Sequence, residues 1–123
     1  DAVRAMHRIG HEIAVAFEEI DVLMTPTSGR PPPPIGLLDM NTDDLPSLGR
    51  EAGRVANFLG IMNITGQPAM SVPLAWTDDG LPVGLQFAGP YGDEGLLFRL
   101  AAQLEEARPW ADRIPPHNAV DAQ

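Results

Sequence analysis

The sequence predicts an α/β chain: a mixed β-sheet that contains an antiparallel hairpin and is flanked by helices. Three observations point there. Apolar side chains at Val3, Met6, Ile9, Ile13, Ala16, Phe17 and Ile20 recur at helical spacing. Two later segments, either side of Thr77-Asp-Asp-Gly, alternate bulky with small residues as paired strands do. A further helix opens on the capping residue Asp93 and closes at Arg108 and Pro109.

Taken in order, the first helix covers about residues 2–19, with Arg4, Arg8, Glu12, Glu18 and Glu19 mostly off the apolar stripe. Asp21-Val-Leu-Met-Thr-Pro-Thr reads as a short buried strand that ends near Pro26, because proline cannot donate to a ladder. Residues 28–46 have loop composition, with Gly29, four consecutive prolines from Pro31 to Pro34, and the polar Asn41-Thr-Asp-Asp. Ser47 is the expected cap of a second helix whose face is Leu48, Ala52, Val55 and Leu59, with Gly60 ending it. In the hairpin, Met70, Val72, Leu74 and Trp76 alternate with small residues, as do Val83, Leu85 and Phe87, and Met70, Val72, Leu74, Val83, Leu85 and Phe87 should be buried together on one face. Ser71 and Gln86 point to the opposite, small face. The third helix presents Leu97, Leu100, Ala101 and Leu104, and Trp110 with Pro115-Pro116 forms a strap, the tail 111–123 fraying at its end. No internal repeat and no second domain is visible.

Composition narrows the partners. The formal charge is −9 and the carboxylates are scattered from Asp1 to Asp121, which disfavours nucleic acid or an anionic membrane surface. No apolar run approaches the ~20 residues that span a bilayer. With no cysteine, disulfides and thiolate metal sites are excluded, which suits the expected cytoplasmic location. The chain starts at Asp1 directly in a helical pattern, as a cut edge would. If a sheet edge and helix face are thereby uncovered, self-association as a homo-oligomer is expected.

Motifs that carry chemistry are few. His7 and His11 share a helix face as two zinc ligands would, but further ligands have no source, so a solvated face explains them and no metal is expected. Asn63-Ile-Thr matches a glycosylation sequon without any secretory context. All eight basic residues are arginine, so a phosphate loop of the lysine type is ruled out. Ser71 sits on a strand with no nucleophile elbow and no neighbouring base, and is a poor nucleophile candidate. The pairs Asp43-Asp44, Asp78-Asp79 and Glu105-Glu106 are solvated neighbours. Gln86 is the one large polar side chain on the small face, and a buried amide needs partners, so a structural role is expected for it.

Four segments carry a family resemblance. Asp21 to Thr27, Asn63 to Pro73, Gly80 to Gln86 and Asp93 to Glu106 follow, in order and spacing, the pattern of the C-terminal core of the amidase signature family. The likeness covers most of residues 21–110, and Thr65 to Leu74 is particularly similar to the branch of that family related to 6-aminohexanoate-cyclic-dimer hydrolases.

The resemblance implies that residues 1–123 are the C-terminal portion of an amidase domain. It further implies hydrolysis of a small-molecule carboxylic amide to acid plus ammonia or amine by a serine nucleophile, a second serine on a cis peptide and a lysine, without a cofactor. None of those three residues can be assigned here, since the family places them upstream; the catalytic set of this chain is empty and the chain alone should be inactive. What it contributes on this reading is sheet core and part of the acyl-pocket wall, from Thr25, Pro26, Thr27, the loop after them and Phe58. One alternative within the fold is the A subunit of an aminoacyl-tRNA amidotransferase. Those glutamine-using relatives tend to carry an acidic residue near the position of Ala56, which alanine cannot replace. The other alternative is a binding or scaffold module with no enzymatic role.

Overall fold

A computed structural model describes residues 1–115 of the chain. The elements are α1 (Ala2–Ala16), β1 (Leu23–Pro26), α2 (Leu45–Val55), α3 (Gly60–Thr65), β2 (Ala69–Trp76), β3 (Pro82–Ala88) and α4 (Glu94–Ala107). The strands form one sheet in the order β1-β3-β2. The α/β class and the hairpin stand as expected. Both strand pairings are antiparallel, so the parallel member of a mixed sheet does not occur among the described residues.

The hairpin follows from its turn chemistry. Gly80 takes a φ of +86°, which favours glycine, and the Thr77 hydroxyl accepts from the Leu81 amide at 2.9 Å. Val72, Leu74 and Phe87 are buried with Leu97 of α4, while Met70, Leu85, Leu100, Leu104 and Trp110 pack around them. Val83, expected to be buried with them, lies outside this cluster and borders a cavity. The pairing register jumps between Pro73 and Ala75, leaving Leu74 as an extra residue, and such a bulge bends and twists the hairpin at that level. Pro73, which has no N–H to give, sits at this irregularity on an edge strand of the described sheet.

Capping sets the helix boundaries. Asp93 accepts from the Leu96 amide at 3.0 Å and starts α4 where expected. In α2 the cap is Asp44, two residues before Pro46 in the first turn and three before Ser47; its carboxylate accepts from the Ser47 amide at 3.0 Å. Ser47 is therefore the donor that is capped and not the cap. The second helix also stops at Val55, and Gly60 opens α3 instead of ending α2. The physical reason is tertiary: the Val55 carbonyl accepts from the Gly29 amide at 3.2 Å, and the Leu59 amide, its helical partner, bonds the Ala56 carbonyl at 3.1 Å instead. The Leu48, Ala52, Val55 and Leu59 stripe still turns inward, each residue half-buried. A left-handed Gly66 with φ +77° ends α3.

Helix α1 is shorter than its stripe and buries no residue; Val3, at 56% exposure, and Ile20, at 41%, look outward. Trp110 packs on the core as a strap, and the Arg113 guanidinium lies 3.9 Å from the Trp76 ring centroid. The expected fraying of the tail, and Pro116 with it, lies outside the described residues.

Large apolar side chains remain uncovered on several elements, among them Met24 at 60%, Phe98 at 76% and Ile35, wholly exposed. Residues 1–123 expressed alone should therefore self-associate. Light scattering across a concentration series checks this; a monomer at high concentration with a sharp, high-temperature unfolding transition would contradict it.

Candidate functional site

The small face of the hairpin is built by registration. Thr25 pairs with Gln86 from one side and Ser71 pairs with Gln86 from the other, so one polar row crosses all three strands. Gln86 is buried, and its side-chain nitrogen donates to the Thr25 hydroxyl at 3.1 Å and to the Phe58 carbonyl at 3.3 Å. These two bonds link β3 to β1 and to the α2–α3 connection, the kind of partners a buried amide needs.

One step along the sheet, the Thr27 and Ser71 hydroxyls are 2.5 Å apart. The Thr27 amide donates to the Gly84 carbonyl at 3.0 Å, carrying the β1–β3 pairing one residue beyond the strand. Gly84 makes this possible. A Cβ there would lie 2.7 Å from Ser71 Oγ and 2.8 Å from Thr27 Oγ1.

These hydroxyls border a cavity of about 550 Å³ whose remaining wall is mostly apolar, with Val55, Val83, Pro73 and the run Pro31 to Pro33, and also includes Ser28 and Arg30. The loop enters this wall at Gly29, whose amide donates to the Val55 carbonyl at 3.2 Å. A Cβ on Gly29 would lie 2.2 Å from the Arg54 carbonyl oxygen, so only glycine permits the approach. A second cavity of about 600 Å³ adjoins through Gly29 and Arg30, and its wall includes Phe58.

The residues expected to form a pocket wall are thus sorted. Thr27 lines the first cavity and Phe58 the second, whereas Thr25 spends its hydroxyl on Gln86 and Pro26 is exposed; neither Thr25 nor Pro26 lines either of these two cavities. Ser71, expected to be a structural polar group, also faces the first cavity. Sequence reasoning missed Gln67, which is buried with its side-chain oxygen against the Thr65 hydroxyl. Its only signal is position, directly after the helix-ending Gly66. His7 and His11 border a shallow crevice between α1 and α3, and no cluster of three or more potential metal ligands occurs among the described residues.

Comparison with known proteins gives the class. A family model described as Amidase matches residues 1–98, and the chain belongs to that family. AmiC of Mycobacterium leprae, itself named as an amidase, is 44% identical over 110 residues, which is 89% of this chain and 23% of that protein. The 6-aminohexanoate-cyclic-dimer hydrolase of Paenarthrobacter ureafaciens is 40% identical over 103 residues, 77% of this chain and 20% of that protein. A solved structure of 6-aminohexanoate cyclic dimer hydrolase superimposes with a TM-score of 0.78 at 35% identity, covering 90% of this chain and 24% of the other. The A subunit of a glutamyl-tRNA(Gln) amidotransferase from Thermotoga maritima is more distant, with a TM-score of 0.66 at 28% identity, covering 89% and 22%. The chain spans about a quarter or less of the length of these relatives.

Two substitutions test the small face. Gln86→Leu should destabilise the protein by about 1–3 kcal/mol, since the Thr25 hydroxyl and Phe58 carbonyl lose their donor. Gly84→Ala should cost about 1–3 kcal/mol by driving the Thr27 and Ser71 hydroxyls apart. Urea denaturation of each variant against the parent measures both.

Proposed function

We propose that residues 1–123 form the C-terminal portion of the catalytic domain of an amidase that hydrolyses a small carboxylic amide to its acid and an amine or ammonia. The observation that carries this reading is the apolar cavity beside the Thr27–Ser71 hydroxyl pair, in a chain of the amidase family. An acyl chain seated there would gain about 0.8 kcal/mol for each methylene it buries. Its carbonyl would then be held for attack.

On this reading the nucleophilic serine, the second serine and the lysine lie in residues outside this chain, which contains no lysine at all. Serine attack gives a tetrahedral intermediate stabilised by an oxyanion hole, loss of the amine leaves an acyl-enzyme, and water releases the acid. The lysine moves the protons through the second serine. Thr27, the loop from Ser28 to Pro33 and Phe58 supply pocket wall, while Thr25 and Gln86 keep that wall on the sheet. The amidotransferase reading is second. Ala56 caps the end of α2 with a methyl group and offers no carboxylate to a glutamine ammonium. A scaffold with no reaction has only the missing triad in its favour.

Two measurements test the proposal. The purified 123-residue chain should not hydrolyse hexanamide or benzamide, because without a lysine or a suitably placed histidine its serines have no evident base. Turnover that Ser71→Ala abolishes would overturn the assignment. In the full-length coding sequence, a Gly/Ser-rich serine segment and an earlier lysine should precede these residues in frame, and their replacement by alanine should abolish amide hydrolysis.

A further inference from the structure

The second cavity gathers more positive charge than the first, with which it shares only Arg30 among its arginines. In a chain of net charge −9 with only eight arginines, three of them, Arg30, Arg50 and Arg54, line this one hollow, together with Gly29, Asn57 and Phe58. One carboxylate serves two of those arginines: Glu51 receives Arg30 at 2.9 Å and also binds Arg54. Among the described residues, Arg50 forms no ion pair. The wall of this cavity therefore holds an unspent guanidinium, in a protein whose overall charge would otherwise repel an anion.

Placement gives that charge a meaning. Gly29 and Arg30 belong to the walls of both cavities, so the apolar hollow and the cationic one form a continuous surface on either side of the loop entry. Gly29 is pinned to α2 by its amide bond to the Val55 carbonyl, and Arg30 is held by Glu51 on α2, whose side chain is 19% exposed. The junction between the hollows is thus fixed at two points. A ligand that fits both halves has an aliphatic stretch ending in a carboxylate. Planar guanidinium groups pair with carboxylates through two parallel hydrogen bonds, and the Asn57 amide can donate a further one.

We propose that Arg50, supported by Arg54 and Asn57, forms a carboxylate subsite, and that the substrates are amides whose aliphatic acyl chain bears a terminal carboxylate. This inference rests on the amidase reading for the reaction, and on the two cavities for the ligand. Arg50 is a specificity residue here, since it meets the far end of the substrate and not the reacting carbonyl.

The test compares adipic acid monoamide with hexanamide, two primary amides of equal chain length that differ in the terminal carboxylate, in the full-length protein. The wild type should favour adipic acid monoamide in kcat/KM, and Arg50→Gln should lower the ratio of the two kcat/KM values about tenfold, chiefly through KM. Arg50→Lys should keep part of the preference, and rising salt should erode it. A ratio that Arg50→Gln leaves unchanged would overturn the subsite. Calorimetric titration with adipate keeps the two readings separable, because it needs no turnover. Weaker adipate binding in Arg50→Gln supports the subsite even if no amide is hydrolysed, which would overturn only the amidase reading; equal binding by wild type and variant overturns the subsite.

Discussion

One amide group holds the described structure in register. The side chain of Gln86 is on the central strand of the sheet, and from there it reaches the Thr25 hydroxyl on β1 and the Phe58 carbonyl between α2 and α3. Removing a buried amide from water is unfavourable unless its hydrogen bonds are replaced, so this contact selects the arrangement in which both partners are present. The break in the second helical stripe has a different partner: the Val55 carbonyl accepts from the Gly29 amide, the Leu59 amide bonds the Ala56 carbonyl, and the chain turns at residues 56–59 before α3 begins. The cavity beside the sheet is walled by Thr27 and Ser28 just after β1, by Val55 at the end of α2, and by Ser71 and Gly84 of the hairpin.

Packing of the two sheet faces follows different rules. On one face, shape alone suffices: Val72, Leu74 and Phe87 meet Leu97, and α4 is placed by its apolar side. On the other face, atoms are placed by the lack of side chains. Gly84 leaves room for two hydroxyls to meet, and Gly29 leaves room for a loop to touch a helix backbone. Polar groups are then satisfied within the protein; among the described residues no buried side-chain nitrogen or oxygen lacks a partner.

Much of this was legible in the sequence because it is local. Period-two alternation located the hairpin at Ala69–Trp76 and Pro82–Ala88, and Asp93 with Glu94 located α4. Gln86 stood out because a lone large amide on a face of small residues must be bonded to something. What was not legible depended on contacts between distant residues. The break after Val55 needs the Gly29 amide on the Val55 carbonyl, a contact between residues far apart in sequence. The bulge between Pro73 and Ala75 changes register without changing composition. For the cavities, Thr27 and Phe58 were expected as wall residues from the family pattern alone, while Ser71 at the wall and the gathering of Arg30, Arg50 and Arg54 arise only when the loop folds back over α2.

The proline run at the cavity has a consequence for selection among ligands. Each proline has its φ fixed near −65°, so a wall made from Pro31 to Pro33 has little freedom to yield. Its root at Gly29 is equally fixed, by contact with the α2 backbone. A hollow of this kind behaves as a gauge: its width is set before anything enters, and entry costs little further ordering of the protein. Discrimination then works by refusal, since a branched or over-wide group meets a surface that does not move aside, while a slender one is accepted without rearrangement.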